Sequence, residues 1–148
     1  MLKKISKERV IYLAGFLDGD GSIYVQAKKN QTYRFGYQIE PAIVFFQSAK
    51  SKDKFLKIVS ILPYGKMRER KDGIIEYRVS KIADLKEFTS LIEPYLILKK
   101  KQIILLRKII SLKNQVKNQQ DFQKILDLVD MFRVLNYSKK RLKRVITP

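Results

Sequence analysis

The run Leu13-Ala14-Gly15-Phe16-Leu17-Asp18-Gly19-Asp20-Gly21 closes an apolar helix with two carboxylates. The C-terminal end of a helix carries partial negative charge of its own, so acids are disfavoured there unless a cation or a hydrogen-bond donor compensates them. A divalent metal would do so. Upstream, Ser6 is a suitable N-cap with Glu8 in the first turn, and Val10, Leu13, Ala14 and Leu17 recur at helical spacing. Gly15 and Gly19 lie four apart in the same helix. Each costs roughly 1 kcal/mol relative to alanine, so a compensating gain is expected. Small residues four apart let two backbones approach closely. Because the motif occurs once, the pattern implies a helix packed against its own copy in a second subunit, with Leu13, Gly15, Phe16 and Gly19 at the interface. Asp20 and its symmetry mate would then meet at the foot of the pair.

A chain of 148 residues is one domain's worth and can bury its own core. It carries 32 Lys and Arg against 14 Asp and Glu, a formal net charge of +18. That excess favours a polyanionic partner, because each phosphate neutralised releases condensed counterions. Charge alone fits a ribosomal protein equally well. The absence of cysteine excludes disulfides and thiolate metal sites. The absence of histidine excludes zinc fingers, Ser-His-Asp chemistry and any nuclease design with a histidine base, leaving carboxylates, metal-bound water and lysine. No apolar run approaches the roughly 20 residues that span a bilayer. The basic start, Met1 to Lys4, leads into the motif helix rather than a cleavable signal peptide. A soluble, intracellular protein is expected, and the richness in Lys, Ile and Asn suits an AT-rich genome such as that of a chloroplast or mitochondrion.

Along the chain, Ser22 to Lys28 alternates apolar with polar, the period of a half-buried strand. Ile23, Val25 and Ala27 face one way; Tyr24, Gln26, Lys28 and Asn30 face the other. A turn near Lys29 to Thr32 leads to a second strand, roughly Phe35 to Gln47, with Tyr37, Ile39, Ile43 and Phe45 on its core face and Gln38 and Glu40 opposite. Ser51 to Leu62 reads as a short amphipathic helix. Lys66 to Lys71 and Ile74 to Ser80 are strands joined by Asp72-Gly73, a strong hairpin signal. Arg68 and Arg70 share a face, with Ile75 and Tyr77 expected near them across the hairpin. A helix through Ile82 to Ile92 ends at Glu93-Pro94, and two more follow, about Lys100 to Leu112 and Gln120 to Leu135. The expected class is α+β, an αββαββα domain with an additional C-terminal helix, filling 1–148 as one unit with a C-terminal helix and basic tail from about 119. Its antiparallel sheet can leave one face open.

A two-stranded ribbon enters the major groove, where each base pair shows a distinct donor and acceptor pattern. On the open face, Gln26, Asn30 and Gln38 suit adenine, and Lys28, Arg68 and Arg70 suit guanine. Tyr24, Tyr33, Glu40, Val44, Ile75 and Tyr77 complete the expected DNA-binding set. Val44, like Ala42 and Phe46, would either meet thymine methyls or pack internally. The strand from Ser22 to Asn30 covers roughly 30 Å. That is about nine base pairs, so a dimer would read on the order of 20.

The nine residues from Leu13 to Gly21 resemble the LAGLIDADG signature of homing endonucleases, and the likeness extends over Tyr12 to Gln47, Arg68 and Arg70, and Pro94 to Gln102, with the last thirty or so residues matching least. It implies the fold of the single-motif homodimeric members and a site-specific double-strand DNA endonuclease, often intron-encoded. The resemblance also implies hydrolysis of a long pseudo-palindromic target across the minor groove, leaving 3′ overhangs. Asp20 would be a shared Mg²⁺ ligand, with Mn²⁺ as a substitute, and Gly19 would lend its carbonyl. Also by resemblance, Gln47 orders solvent around the metal, Lys99 activates water or neutralises the transition state, and Lys52, or alternatively Lys50, supplies a further basic group. Asp18 reads as structural. An EF-hand reading of Asp18 to Ser22 fails, because Ile23 and Lys29 stand where that loop needs glycine and glutamate. The competing functions are an RNA maturase that assists splicing of its intron and a non-catalytic DNA-binding regulator. The tail Ser138 to Arg144 would contact flanking phosphates or fray into solvent.

Overall fold

The computed structural model describes residues 4–136 and Ile146. Helix α1 spans Lys7–Asp20, and its start follows from chemistry: the Ser6 hydroxyl accepts the Arg9 amide at 3.4 Å, with Glu8 in the first turn. Strands β1 (Gly21–Lys29) and β2 (Tyr37–Ser48) follow. A single 3₁₀ turn at Ala49–Ser51, capped by Ser48 through the Lys50 amide, precedes α2 (Lys52–Val59), which stops three residues short of the expected Leu62, ahead of Pro63. Next come β3 (Lys66–Glu69), β4 (Ile74–Val79) and α3 (Ile82–Ile92). A 3₁₀ turn at Glu93–Tyr95 leads on to α4 (Lys100–Lys113) and α5 (Gln119–Leu135). The four strands form one antiparallel sheet in the order β1-β2-β4-β3. The fold is α+β, as expected, with both α4 and α5 following α3.

By contacts the chain divides into two compact units, one of Met1–Ile23 with Ala42–Lys100 and the other of Tyr24–Pro41 with Lys101–Pro148. In the first, β4 pairs antiparallel with β2 and β3, matching Phe45 with Tyr77, Gln47 with Ile75, and Arg68 with Glu76. Directly opposed residues share a face. Odd-numbered residues of β2 and β4 therefore form the core side, where Ile43, Phe45, Ile75 and Val79 have no exposed surface. Phe16 of α1 lies 5.7 Å from the Phe45 ring and 6.1 Å from Phe55, and Phe45 lies 6.2 Å from Phe88. The hairpin turns at Asp72-Gly73, as expected: Gly73 has φ 83° and the Asp72 carboxylate accepts the Ile74 amide at 3.2 Å.

In the second unit Phe35 stacks on Phe122 at 5.0 Å, and the Arg34 guanidinium lies 4.9 Å from the Phe35 ring centre while donating to the Lys117 carbonyl at 3.2 Å. Asn118 caps α5 through the Asp121 amide at 2.8 Å. The α5 core residues Phe122, Ile125, Leu126, Val129 and Phe132 keep helical spacing and are all buried.

One polar contact ties the end of α1 to a segment far along the chain. The Asp18 carboxylate accepts the amides of Ile97, Leu98 and Lys99 at 2.8, 3.2 and 3.0 Å. Charged acceptors strengthen such bonds, but Ile97 and Leu98 are exposed and water can take up their freed amides, so Asp18→Ala should cost about 1 to 2 kcal/mol, with Asp18→Asn milder. Urea unfolding checks this; an unchanged midpoint for the alanine variant would refute it.

Candidate functional site

The two acids at the end of α1 have opposite fates. Asp18 is satisfied by three amides, and its backbone carbonyl also accepts the Lys99 ammonium at 2.9 Å. Asp20, one half-turn later, is exposed and has no hydrogen-bond or ion-pair partner among the described residues. An unneutralised carboxylate where the helix dipole is already negative has a reason to be there only if something external meets it. Gly19 is likewise exposed. Among the described residues there is no cluster of three or more acids that could enclose a metal. The donor set of one carboxylate and one carbonyl, both hard oxygens, suits Mg²⁺, which keeps most of its waters and takes only one or two carboxylates plus substrate phosphate.

Three other expected site residues belong to the same unit. Lys99 is held to the last turn of α1 through the Asp18 carbonyl. Gln47, near the end of β2, is half-buried, and its side-chain carbonyl accepts the Ser48 amide at 2.9 Å, leaving its amide donors without a partner among the described residues. The Lys52 ammonium lies 3.6 Å from the Glu69 carboxylate, a half-exposed surface pair. The ammonium of Lys50, the alternative, has no partner among the described residues.

The register of the β3–β4 hairpin corrects the expected open face. Ile75 and Tyr77 stand opposite Gln47 and Phe45 on the core side, with 0% and 8% of their surface exposed. The Tyr77 hydroxyl donates to the Tyr64 carbonyl, and burial pushes its phenol above the usual range. Neither side chain is available to a groove. The residues that share Arg68's face are Glu76 and Arg78, which sequence reasoning missed. The signal was present: Ile75, Tyr77 and Val79 alternate with Glu76 and Arg78, and period-two counting assigns the charges to the open side. Arg70 reaches Glu76 at 3.4 Å and Asp72 at 2.6 Å, and Arg68 lies 3.9 Å from Glu76. Val44 is also corrected. It stands opposite Arg78, on the arginines' side of the sheet, and with Ala42 it is buried, at 2% and 0% exposure.

In the second unit Gln26 and Lys28 are exposed, whereas Tyr24, Asn30, Gln38 and Glu40 are partly covered. Tyr33 is exposed in the turn between the strands. Lys28 lies 3.5 Å from Glu40. The Asn30 side-chain oxygen is engaged within the turn, accepting from the Thr32 amide at 3.1 Å and hydroxyl at 2.7 Å, so only its amide donors remain for adenine.

One member of the expected interface set, Leu13, needs correction. Leu13 is completely buried and serves the chain's own core, whereas Phe16 packs on Phe45 and Phe55 and stays half-buried. The exposed side of α1 instead carries Ile11, Tyr12, Gly15 and Gly19. A Cβ built on Gly15 or Gly19 would meet nothing within 4 Å, so nothing inside the chain requires glycine there. The basic stretch Ser138 to Arg144 lies outside the described residues. No helix among the described residues is long and apolar enough to cross a membrane.

Comparison with known proteins bears on these features. A family profile described as LAGLIDADG endonuclease matches residues 13–112. The chain is 37% identical over 142 residues to the DNA endonuclease I-CreI of Chlamydomonas reinhardtii, covering 95% of this chain and 86% of that protein. It is 33% identical over 130 residues to the DNA endonuclease I-CvuI of Chlorella vulgaris, covering 88% and 81%. A crystal structure of I-CvuI in complex with its target in the presence of 2 mM Ca superposes with a TM-score of 0.85 at 31% identity, covering 93% of this chain and 87% of that one.

Proposed function

The chain belongs to the LAGLIDADG endonuclease family, and from that premise we propose that it acts, as a homodimer using a divalent metal, as a site-specific DNA endonuclease. The observation that carries the proposal is the split at the end of α1, where Asp18 is consumed by structure and Asp20 is left free. Named relatives are DNA endonucleases, and the I-CvuI structure is of that protein in complex with its target in the presence of 2 mM Ca. The whole chain, 1–148, is read as a single endonuclease domain, supported by a profile match that runs from α1 into α4.

Asp20 and the Gly19 carbonyl would hold Mg²⁺, with Mn²⁺ the natural substitute because it prefers the same hard oxygen ligands. Such an ion, when bound, lowers the pKa of water and stabilises charge on the departing 3′ oxygen. The protein's own residues supply the rest. The Asp18 carbonyl holds the Lys99 ammonium, a compact charge suited to neutralising a pentavalent phosphate without bidentate geometry. Gln47 has amide donors with which to orient solvent. Lys52, or Lys50, adds positive charge at the start of α2. Base reading falls to Gln26, Lys28, Gln38 and Glu40 in one unit and to Arg68, Arg70, Glu76 and Arg78 in the other. The phosphate-directed term comes from the net charge of +18.

The dimer rests on the two helical glycines. Their combined cost of about 2 kcal/mol has no return inside the chain. A second α1 laid against the exposed side recovers it, and would bring the two Asp20 residues together for cuts on both strands that leave 3′ overhangs.

Two outcomes are expected. Asp20→Asn should lower cleavage by at least about a thousandfold, the scale of losing a metal's transition-state stabilisation, while binding measured in Ca²⁺ changes little; nicking at the wild-type rate would end the proposal. Binding without cleavage by the wild type would favour a regulator, and affinity for RNA alone would favour a maturase. Gly15→Leu should convert dimer to monomer in sedimentation with an intact fold by circular dichroism, and a variant that remains dimeric excludes α1 as the interface.

A further inference from the structure

We propose that Lys28 and Glu40 read one G·C base pair jointly, as a matched donor and acceptor, so that each half-site of the target contains a G·C pair in one fixed orientation under them. The inference rests on the endonuclease reading above and adds to it a defined element of the substrate. It begins from an oddity. On a surface that meets a polyanion a carboxylate weakens the attraction to phosphate, yet Glu40 lies on the polar side of β2, with its side chain 25% exposed and 3.5 Å from Lys28. Among the described residues Glu40 has no other partner. Its two oxygens offer about four acceptor sites and the ammonium three donors, so the pair leaves most of its capacity unspent.

The major-groove edge of a G·C pair has the complementary layout. Guanine shows two acceptors, N7 and O6, and cytosine shows the N4 amine. O6 and N4 are themselves hydrogen-bonded across the pair, which places them roughly 2.9 Å apart. A lysine on the guanine acceptors and a glutamate on the N4 amine would therefore stand side by side at about the separation that Lys28 and Glu40 already have. An A·T pair fits less well. Its adenine amine could satisfy Glu40, but thymine offers the lysine one acceptor, O4, beside a methyl group. Inverting the G·C pair puts the amine against the ammonium and the acceptors against the carboxylate, which repels at both ends. The ion pair thus comes prearranged, and orientation is read as well as composition. Lys28 is the eighth residue of the nine in β1, so the base pair concerned falls toward the end of the half-site that this strand reaches last.

The test is a selection of cleavable sites by the wild-type homodimer from a two-fold symmetric randomised DNA library in Mg²⁺, followed by competition binding in Ca²⁺ to sites carrying each of the four base pairs at every half-site position. At one position, G·C in a single orientation should be preferred by about 5- to 150-fold. Glu40→Gln and Lys28→Met, both near-isosteric changes at a surface, should each flatten that same position, leave the others within about twofold, and together lose little more than either alone, as coupled residues do. The proposal is overturned if the two variants alter different positions, or if the shared position prefers A·T or T·A. It is also overturned if Glu40→Gln merely tightens binding to all sites alike with a steeper salt dependence, the behaviour of a surface ion pair that reads nothing. Failure of the wild type to select any DNA has a different signature and removes the endonuclease reading together with this one.

Discussion

Three amides converging on one carboxylate organise the end of helix α1. Asp18 meets the backbone of Ile97, Leu98 and Lys99, residues about eighty positions later in the chain, and returns its carbonyl to the Lys99 side chain. The contact compensates an acid placed against a helix dipole and fixes the direction in which α1 hands over to β1. It also sets where a lysine ammonium stands relative to that helix end. Remove it, and the next acid, Asp20, is presented by a fraying turn instead of a pinned one. Spacing two acids two residues apart on a helix end turns them to different sides, so one can be bound by the protein while the other is left for solvent or a ligand.

Strand parity does comparable work in the sheet. A face is defined residue by residue, and a one-residue error moves every side chain to the wrong side. The pairing of Phe45 with Tyr77 and of Arg68 with Glu76 commits Ile75, Tyr77 and Val79 to the core and leaves Glu76 and Arg78 with the arginines. The same parity makes Arg68 and Arg70 neighbours of an acid rather than of apolar groups.

Much of this was legible in the sequence where a local signal carries the information. The N-cap at Ser6, the alternation from Ser22 to Lys28, the Asp72-Gly73 turn and the helical spacing of α3, α4 and α5 all declare themselves within a few residues. Asp18 and Asp20 could be separated into a structural and an available acid. The assignment of Leu13 needed knowledge of the elements packed around α1. Val44 stands in the unbroken apolar run Ala42 to Phe46, which left contact with thymine methyls and packing as alternatives, and it is buried. Leu13 follows Gly15 and Gly19 in suggesting an interface, yet it lies on the opposite arc of the helix and is spent in the core. Ile75 and Tyr77 were recoverable from parity on β4 alone, because the alternation of Ile75, Tyr77 and Val79 with charged residues was present in the sequence.

The acids near the expected DNA-reading side chains bear on how a chain of net charge +18 can be specific at all. Uncompensated lysines and arginines bind phosphate without regard to sequence, and that term grows with every charge added. Here Lys28 has Glu40, Arg68 has Glu76, and Arg70 has Glu76 and Asp72. Exposed pairs of this kind contribute little to stability. Their effect is to subtract from the sequence-independent attraction at the side chains proposed to read bases. Basic residues left without acids can hold the backbone, while the paired ones gain affinity only when a base edge returns what the acid supplied. Discrimination in such a protein depends on where its few acids are placed.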